Sequence, residues 1–380
     1  MIISCSQSKP SSDYFGQPLP DSIPTIFAPD IISVKGRLEH GISFSPNSSE
    51  LAFGILNKQN LNGEIYYSKK NKGKWTVPEL FKPLIDKSAY LPYFSPNGKY
   101  LLFSQSKSDS KDGHTDLWII EKINDNWGGA KKLDSPINSI NREANATMTS
   151  DGTIFFSSNR NCQNNKDCHT ADLFYSKLLD EKYLTVQPVS EINSSNDEES
   201  VYISANEDYI IFCRYTNDET AVDLYISYRN INGSWNEPLK IDSSINSKDW
   251  ERRPFVTIDN KFLFFTRLII NENELEESDV FWVNTSKLFK PFFYNTVADK
   301  TIQIGRKFEL YLPNDYFKDI DDSQLNYKVE LDQAPWLKFD EKNMKLFGVP
   351  TEEGSFEIAI TAYDGNSNST QDKININTKK

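Results

Sequence analysis

Four glutamates that stand at the same place in successive segments are the strongest candidates for chemistry in this 380-residue sequence. They are Glu39, Glu143, Glu198 and Glu251, and the corresponding place in the second segment holds Ala89. Two carboxylates roughly 5–10 Å apart can hydrolyse a glycosidic bond. That chemistry needs one acid and one base in different environments, whereas repeated glutamates share similar surroundings. The repetition therefore favours binding or a structural role over catalysis.

Aromatic and cationic residues accompany these glutamates and suggest a ligand-binding surface at the mouth of a channel. Side chains of these kinds hold sugars and peptides. The predicted ligand-binding residues are Glu39, Tyr90, Glu143, Glu198, Trp250, Glu251 and Arg252. In the competing structural interpretation, each glutamate pairs with an arginine, such as Arg160, Arg214 or Arg267, or with backbone N–H groups of the neighbouring blade, and locks the ring.

Other catalytic arrangements are missing from the sequence. It contains three histidines, His40, His114 and His169, which fall in separate segments. It has no G-x-S-x-G, H-E-x-x-H, P-loop or dinucleotide-binding glycine pattern. We therefore expect no catalytic residues and no required cofactor.

The cysteines favour an exported protein. Cys162 and Cys168 share a polar loop in which His169 is the nearest further metal ligand, whereas a zinc site needs four ligands. A disulfide between the two cysteines, formed in an oxidising compartment, is the better interpretation. Cys5 precedes a Ser-rich stretch that suits a lipid-anchored tether, and an ordinary start with a chance cysteine is the alternative.

Composition limits the partners. The net charge is -12 at pH 7, and a groove that follows phosphates needs clustered Lys and Arg, so we expect no nucleic acid. For the same reason we expect membrane contact only through a lipid at Cys5. No apolar run approaches the ~20 residues that a spanning helix needs. Aromatic residues make up 13% of the chain, which favours strands.

The elements that must position the glutamates are short strands of an internal repeat. FSPNG at 94–98 and FSPNSSELAF at 44–53 each enter an apolar run. Weaker copies occupy 149–156, 204–212 and 257–265. Each copy is followed by an acidic, an aliphatic and an aromatic residue, as in Asp116-Leu117-Trp118. Four short strands per repeat are typical of propeller blades. We predict an all-β fold with a five-bladed β-propeller, and a six-bladed one is the alternative.

The two ends of this ring are predicted to close on one another. Residues 23–32 resemble 77–86, the outer strand of the first full repeat. We therefore expect residues 22–30 to pair with a strand near 279–284, which leaves no unfinished sheet edge. The predicted boundaries are 1–20 for a signal remnant or tether, 21–292 for the propeller and 296–380 for a second domain.

The repeats resemble the TolB-type, WD-repeat-like propellers of bacterial envelope proteins. The opening YFGQPLP…PTIFAPDIIS and the closing DVFWVN are similar to a family of such propellers common in Bacteroidetes. The resemblance implies the fold and, with Cys5, a lipoprotein in the periplasm or at the outer membrane. It does not decide the function, because propellers host both binding proteins and enzymes.

The C-terminal segment 296–378 resembles the cadherin-like, dystroglycan-type Ig domains of secreted proteins. Trp336, LFGVP at 346–350 and Asp364-Gly365 carry this resemblance, which implies a β-sandwich. In some relatives acidic turns bind calcium, and Asp319, Asp321 and Asp364 match those turns here. The alternative is that acidic residues populate solvated turns, and an interdomain calcium site would need a partner domain to complete it.

Taken together, these features predict a non-catalytic envelope binding or scaffold protein whose propeller recognises a protein or a glycan. A carbohydrate-active hydrolase that uses the carboxylates at the channel mouth is the first alternative. A structural subunit of an envelope assembly is the second.

Overall fold

The computed structural model describes residues 14–106, 114–161, 171–215, 221–271 and 274–380. Cys5, Cys162, Cys168 and His169 lie outside these ranges, so the lipid anchor and the disulfide stay predictions. Cys213 is a buried free thiol, and burial raises its pKa. Within the described ranges, no helix has the length and hydrophobicity required to cross a membrane.

Strands dominate the structure, and its described helical elements are three short 3₁₀ turns at Lys82–Leu84, Thr285–Lys287 and Glu341–Asn343. The strands up to residue 284 are β1 (Thr25–Ile26), β2 (Leu38–Phe44), β3 (Glu50–Leu56), β4 (Gly63–Asn71), β5 (Lys74–Trp75), β6 (Glu79–Leu80), β7 (Ala89–Phe94), β8 (Tyr100–Ser106), β9 (Thr115–Ile123), β10 (Asn126–Lys132), β11 (Glu143–Met148), β12 (Ile154–Ser158), β13 (Asp172–Ser176), β14 (Leu178–Leu179), β15 (Lys182–Tyr183), β16 (Gln187–Pro188), β17 (Glu198–Ile203), β18 (Tyr209–Tyr215), β19 (Val222–Tyr228), β20 (Leu239–Lys240), β21 (Trp250–Val256), β22 (Phe262–Asn271) and β23 (Glu274–Asn284). The later strands are β24 (Phe292–Phe293), β25 (Lys300–Gln303), β26 (Phe308–Tyr311), β27 (Phe317–Lys318), β28 (Asn326–Glu330), β29 (Leu337–Asp340), β30 (Lys345–Gly348), β31 (Gly354–Tyr363) and β32 (Ser369–Lys379).

By its internal contacts the chain divides into two compact units. The propeller unit comprises Met1–Ser227 and Glu237–Thr285, and the sandwich unit comprises Tyr228–Asn236 and Ser286–Lys380. The segment Tyr228–Asn236 belongs to the sandwich unit because Tyr228 stacks on Phe292, with ring centroids 4.3 Å apart, and Asn236 bonds the Phe293 carbonyl. The sequence predicted the boundary between the two domains at 292–296. It did not predict that Tyr228–Asn236 belongs to the second unit.

The propeller unit is a β-propeller built from antiparallel groups of four strands. Among the described residues these groups are β2-β3-β4-β6, β7-β8-β9-β10, β11-β12-β13-β16, β17-β18-β19-β20 and β21-β22-β23-β1. Each first strand contacts the first strand of the next group, and β21 contacts β2, so the first strands line the centre of a closed ring. Alternating apolar side chains pack between neighbouring groups.

The N-terminal strand β1 supplies the outer strand of the last group. Thr25 pairs with Trp282 and Ile26 with Phe281, within the segments that the sequence predicted to meet. Phe27 is fully buried, and its ring packs edge-on against Trp282 and Phe264. The start and the end of the propeller sequence are therefore held in one sheet.

A β-bulge recurs in each of the five first strands named above. The pairing register shifts there, and each bulge contains a residue with positive φ. These residues are Gly41, Leu91, Asn145, Ser200 and Arg253. A bulge re-aims the side chains around it, and bulges are frequent beside functional sites.

The sandwich unit contains two main sheets, ordered β25-β32-β31-β28 and β26-β30-β29, with β24 paired to β27. Its core includes Tyr316, Trp336, Leu346 and Ile358. Gly348 of the LFGVP motif is required there, because a Cβ at this position would lie 2.1 Å from the Trp336 carbonyl oxygen. The all-β fold with a C-terminal Ig-like domain is thus confirmed.

Candidate functional site

The repeated glutamates lie inside their four-stranded groups and are bonded there. Glu251 accepts hydrogen bonds from the Ser247 N–H at 3.0 Å, the Ser247 hydroxyl at 2.6 Å and Arg267 Nε at 2.6 Å. Glu198 has the same set of partners in Ser194 and Arg214. These carboxylates are fully buried, and burial raises the pKa of both above the usual range.

Glu143 follows the same scheme with one addition. It accepts from Ser139, from the Ser158 hydroxyl at 3.0 Å and from Arg160 at 3.2 Å. The arginines also donate to backbone carbonyls of the preceding linkers, at Ile137, Ile192 and Ile245. The carboxylate partners come from the glutamate's own group or from the linker that precedes that group.

The linker asparagines complete the lock. Asn138 accepts from the Leu117 N–H and donates to the Leu117 and Leu133 carbonyls. Asn246 does the same with Leu224 and Ile241. The Ile-Asn-Ser linker, the glutamate, the arginine and the Asp-Leu motif are therefore one structural network that recurs from group to group.

Glu39 departs from this network. The residue opposite Glu39 on the neighbouring strand is Ile55, which cannot pair with a carboxylate. The guanidinium comes instead from Arg37, two residues earlier in the chain, with Nε 2.6 Å from Glu39 Oε1. Its Oε2 atom is buried and has no partner among the described residues. Burial, opposed by Arg37, raises the pKa of Glu39 to about 7.

A cavity of about 800 Å³ opens at the bulged end of the first strands. Residues that directly follow the repeated glutamate position contribute to it: His40, Tyr90 and Ala144. Successive side chains of a strand point to opposite faces of its sheet. The residue that follows each glutamate position therefore points away from the carboxylate, and at these three positions it lines the cavity. The remaining lining residues are Leu56, Asn60, Leu61, Asn62, Asp86, Lys87, Ser88, Leu91, Ser104, Gln105, Ser106, Thr115, Arg142 and Arg253.

Aromatic side chains fill the channel beyond this cavity. The Tyr93 hydroxyl donates to the Met148 carbonyl at 3.1 Å and the Tyr202 hydroxyl to the Val256 carbonyl at 2.8 Å. The Tyr202 ring packs edge-on against Phe255. The spaces beside these rings measure about 20 Å³ each, room for little more than a water molecule.

An arginine cluster stands at the cavity wall. Glu199 contacts Arg142 at 2.5 Å, Arg252 at 3.0 Å and Arg253 at 3.8 Å. Burial favours the neutral acid, but the three guanidinium groups outweigh it and hold the pKa of Glu199 well below its usual range. Burial, together with Arg252, lowers the pKa of Arg253 to about 10, so its side chain remains charged at neutral pH.

His40 connects this cluster to the cavity. Arg253 Nε donates to His40 Nε2 at 3.2 Å, so the imidazole proton resides on Nδ1. Nδ1 is buried, and no group of the described chain accepts its proton. Burial, and then the nearby arginines, keep the pKa of His40 well below its usual value, so the ring is neutral.

The predicted mouth residues are thus partly brought together. Tyr90 lies in the cavity wall, where its hydroxyl bonds Ser88, Ser106 and the Leu61 carbonyl. Trp250 and Arg252 line a smaller cavity of about 180 Å³ with Glu39. Glu143, Glu198 and Glu251 line neither cavity, and their fully buried carboxylates bond the linker serines instead.

Sequence reasoning missed Arg142, Glu199, Arg253 and Gln105. A signal for Arg142, Glu199 and Arg253 existed, since they lie within two residues of the repeated glutamate in the chain and differ from repeat to repeat. A residue type that repeats at one position reflects what the fold requires there, whereas the neighbouring positions vary and can be used to contact a ligand.

The aspartates of the sandwich unit bond protein groups. Asp364 accepts from the Asn368 N–H at 2.7 Å and its amide at 2.6 Å, and Asp319 accepts from the Asp321 N–H. Burial, with Asp321 and Asp364 nearby, raises the pKa of Asp319 to about 7. In the described ranges no group of three or more acidic, His or Cys side chains has an arrangement suited to a metal. Calcium binding at these aspartates stays a prediction.

Comparison with known proteins identifies one family. Residues 290–379 match the Putative Ig domain family, He_PIG, in agreement with the sandwich unit. No curated protein matches the chain. The TolB-type identity of the propeller stays a prediction.

Several solved structures resemble the chain at low identity. A glycoside hydrolase is 10% identical with a TM-score of 0.46, over 74% of this chain and 94% of that one. The catalytic domain of a Coprinopsis cinerea GH62 α-L-arabinofuranosidase is 9% identical with a TM-score of 0.44, over 70% and 98%. Prolyl oligopeptidase B from Galerina marginata is 11% identical with a TM-score of 0.37, over 85% and 38%. Similarity at this level assigns no substrate to this chain.

Proposed function

We propose that this protein binds a glycan in the mouth cavity of its propeller. The observation that carries the proposal is a cavity of about 800 Å³ whose lining residues include two, His40 and Gln105, with a buried polar atom that has no partner among the described residues. His40 Nδ1 is a buried donor and Gln105 Oε1 a buried acceptor, and neither has a partner among the described residues. A buried polar atom without a partner costs about 1–3 kcal/mol, which a ligand can recover.

The lining favours a sugar over an apolar ligand. Asn60, Asn62, Ser88 and Ser106 place amide and hydroxyl groups around the cavity. Sugar hydroxyls both donate and accept hydrogen bonds, so they match a wall that presents both kinds of partner. The Tyr90 ring adds an aromatic surface of the kind on which sugars pack.

A glycoside hydrolase is the second candidate, and it needs two suitably spaced carboxylates. The described cavity lining contributes Asp86, which is exposed. Glu199 stands behind the wall and is engaged by three arginines. The binding experiment should therefore also follow release of reducing sugar, because sustained release that stops on Asp86→Asn or Glu199→Gln would establish the hydrolase instead.

The test is a glycan panel measured by calorimetry with wild-type protein and Gln105→Leu. We expect the substitution to weaken glycan binding at least tenfold at an unchanged melting temperature, since it removes an acceptor that bonds no described group. Gln324→Leu, an exposed change in the sandwich unit, is the matched control. Binding that is absent across the panel, or unaffected by Gln105→Leu, would contradict the proposal.

Export, lipidation at Cys5 and an envelope partner belong to the same proposal as the setting in which glycan binding would operate. Fractionation of the native host and labelling with a fatty acid test both. A structural subunit of an envelope assembly remains the alternative, and it predicts a stable protein partner and no glycan affinity.

A further inference from the structure

The arginine cluster is more than the scaffold needs. Glu143, Glu198 and Glu251 are each held by one arginine and nearby serine groups, whereas Glu199 is surrounded by Arg142, Arg252 and Arg253. Among the described residues, three guanidinium groups on one carboxylate leave an excess of two positive charges in a protein whose net charge is -12. A buried excess of charge is costly unless a counter-charge completes it.

This excess charge is accessible from the cavity. Arg142 and Arg253 line the cavity, and the Arg142 side chain keeps 28% of its surface exposed. Arg252 lies behind them, and its buried Nε has no partner among the described residues. At the rim, exposed Lys87 and Asp86 are adjacent and of opposite sign, so they do not cancel the excess.

The donors suit an anionic group on a sugar. A guanidinium group binds a carboxylate or a sulfate through charge-assisted N–H bonds. Arg142 and Arg253 line this cavity and provide such donors. His40, another lining residue, has a buried N–H at Nδ1 that no described group accepts. Gln105 also lines the cavity, and its buried Oε1 accepts no hydrogen bond from the described chain.

We infer that the ligand of this cavity is an acidic glycan, whose anionic group binds Arg142 and Arg253. The inference rests on the proposed glycan binding and adds its substrate class. The anionic group is a uronate carboxylate or a sulfate ester, and both present the same charged oxygens to the arginines.

The experiment compares three matched probes by calorimetry on the full chain. These are trigalacturonate, its fully methyl-esterified form and a sulfated galactotriose. The ester keeps the sugar ring and removes the charge. We expect at least one charged probe to bind tenfold or more tightly than the ester, and the charged probe that binds identifies the anionic group.

Arg142→Gln provides the second arm. It leaves Glu199 with two arginines, so the fold should persist, and it should reduce charged-probe affinity about tenfold while changing ester binding by less than twofold. Arg306→Gln, which removes an exposed guanidinium from the sandwich unit, should change neither.

The outcomes separate the two proposals. Equal binding of the ester and the charged probes leaves glycan binding standing and overturns the acidic specificity. Charged probes that bind wild type and Arg142→Gln equally well overturn the assigned arginine. Failure of all three probes to bind overturns this inference, and failure of the wider glycan panel as well overturns the proposed function.

Discussion

At the residue scale, glutamates of one type do two different jobs. Glu251 is bonded by Arg267 of its own four-stranded group and by Ser247 of the preceding linker, and the same arrangement recurs at Glu143 and Glu198. Glu199 stands one residue from Glu198 in the chain but is held by arginines of two other groups. The alternation of side chains along a strand separates the structural carboxylate from the one at the cavity wall.

The buried pair of Glu251 and Arg267 gives the first prediction. Arg267→Met leaves a fully buried carboxylate with only Ser247 as a partner, so we expect a loss of about 3–5 kcal/mol in the free energy of unfolding. Urea denaturation measures it. The double change Arg267→Met with Glu251→Leu should be less destabilising than the single one, because no charge is left uncompensated. A single variant within about 1 kcal/mol of wild type would refute the lock.

Glu39 gives a pH-dependent prediction. The pKa of Glu39 is about 7 in the folded protein, against an ordinary value of 4.5. Between these two pH values the folded protein retains a proton that the unfolded chain has released. This contribution to stability is complete at low pH and is lost as pH rises through about 7. Wild type should therefore lose about 2 kcal/mol more than Glu39→Gln in free energy of unfolding between about pH 5 and pH 8.

The measurement is urea denaturation at both pH values, with Glu181→Gln, an exposed turn residue, as the control. The control should follow the wild-type pH dependence. A Glu39→Gln protein that loses as much stability as wild type would show that Glu39 titrates normally in the fold.

The residue scale also shows what sequence reasoning can reach. The recurrence of Glu39, Glu143, Glu198 and Glu251 was visible, but the strand register that places Arg214 and Arg267 opposite two of them, and Ile55 opposite Glu39, was not. The distance between Arg142 and Glu199 across two groups is set by the closed ring, which no local pattern encodes. Turn motifs such as FSPNG, by contrast, act locally and were readable.

At the scale of elements, β1 closes the propeller ring. Thr25 and Ile26 pair with β23, and Phe27 donates its N–H to the Val280 carbonyl at 2.8 Å. The similarity of 23–32 to 77–86 made this strand predictable, because both segments meet the same environment at the outer edge of a group. The bulges were not predictable, since Leu91, Asn145, Ser200 and Arg253 adopt positive φ without being glycine.

Phe27→Ala tests the closure. The ring is fully buried against Trp282 and Phe264, so its removal should cost about 3–5 kcal/mol in the free energy of unfolding. Ile23→Ala, at a side chain that is 70% exposed in the same segment, should stay within about 0.5 kcal/mol. Thermal and urea denaturation measure both. Two variants of equal stability would mean that the segment is only loosely attached.

At the scale of the whole molecule, the charge of the protein and the charge of the cavity have opposite signs. The chain carries -12 overall, whereas the arginine cluster has two positive charges in excess. A long acidic polysaccharide would therefore be repelled by the surface while a single sugar is attracted by the cavity. The site is better suited to binding one acidic sugar unit, at the end of a glycan or in a short oligosaccharide, than to binding a polysaccharide along many of its charges.

Salt dependence separates these two modes of binding. Salt screens exposed charges beyond about 10 Å at 0.1 M, and partly buried pairs much less. Raising NaCl from about 0.05 to 0.5 M should therefore reduce the affinity for a charged trisaccharide by less than about threefold. The affinity for a long polymer of the same sugar should stay the same or increase, because salt screens its repulsion by the protein surface. Calorimetry at the two salt concentrations measures both ligands, with the neutral ester as the control for effects other than charge. A groove that contacts many anionic groups would instead lose several orders of magnitude in its affinity for the polymer over this range of salt. If the affinity for the polymer falls more than tenfold, exposed cations and not the arginine cluster hold the ligand.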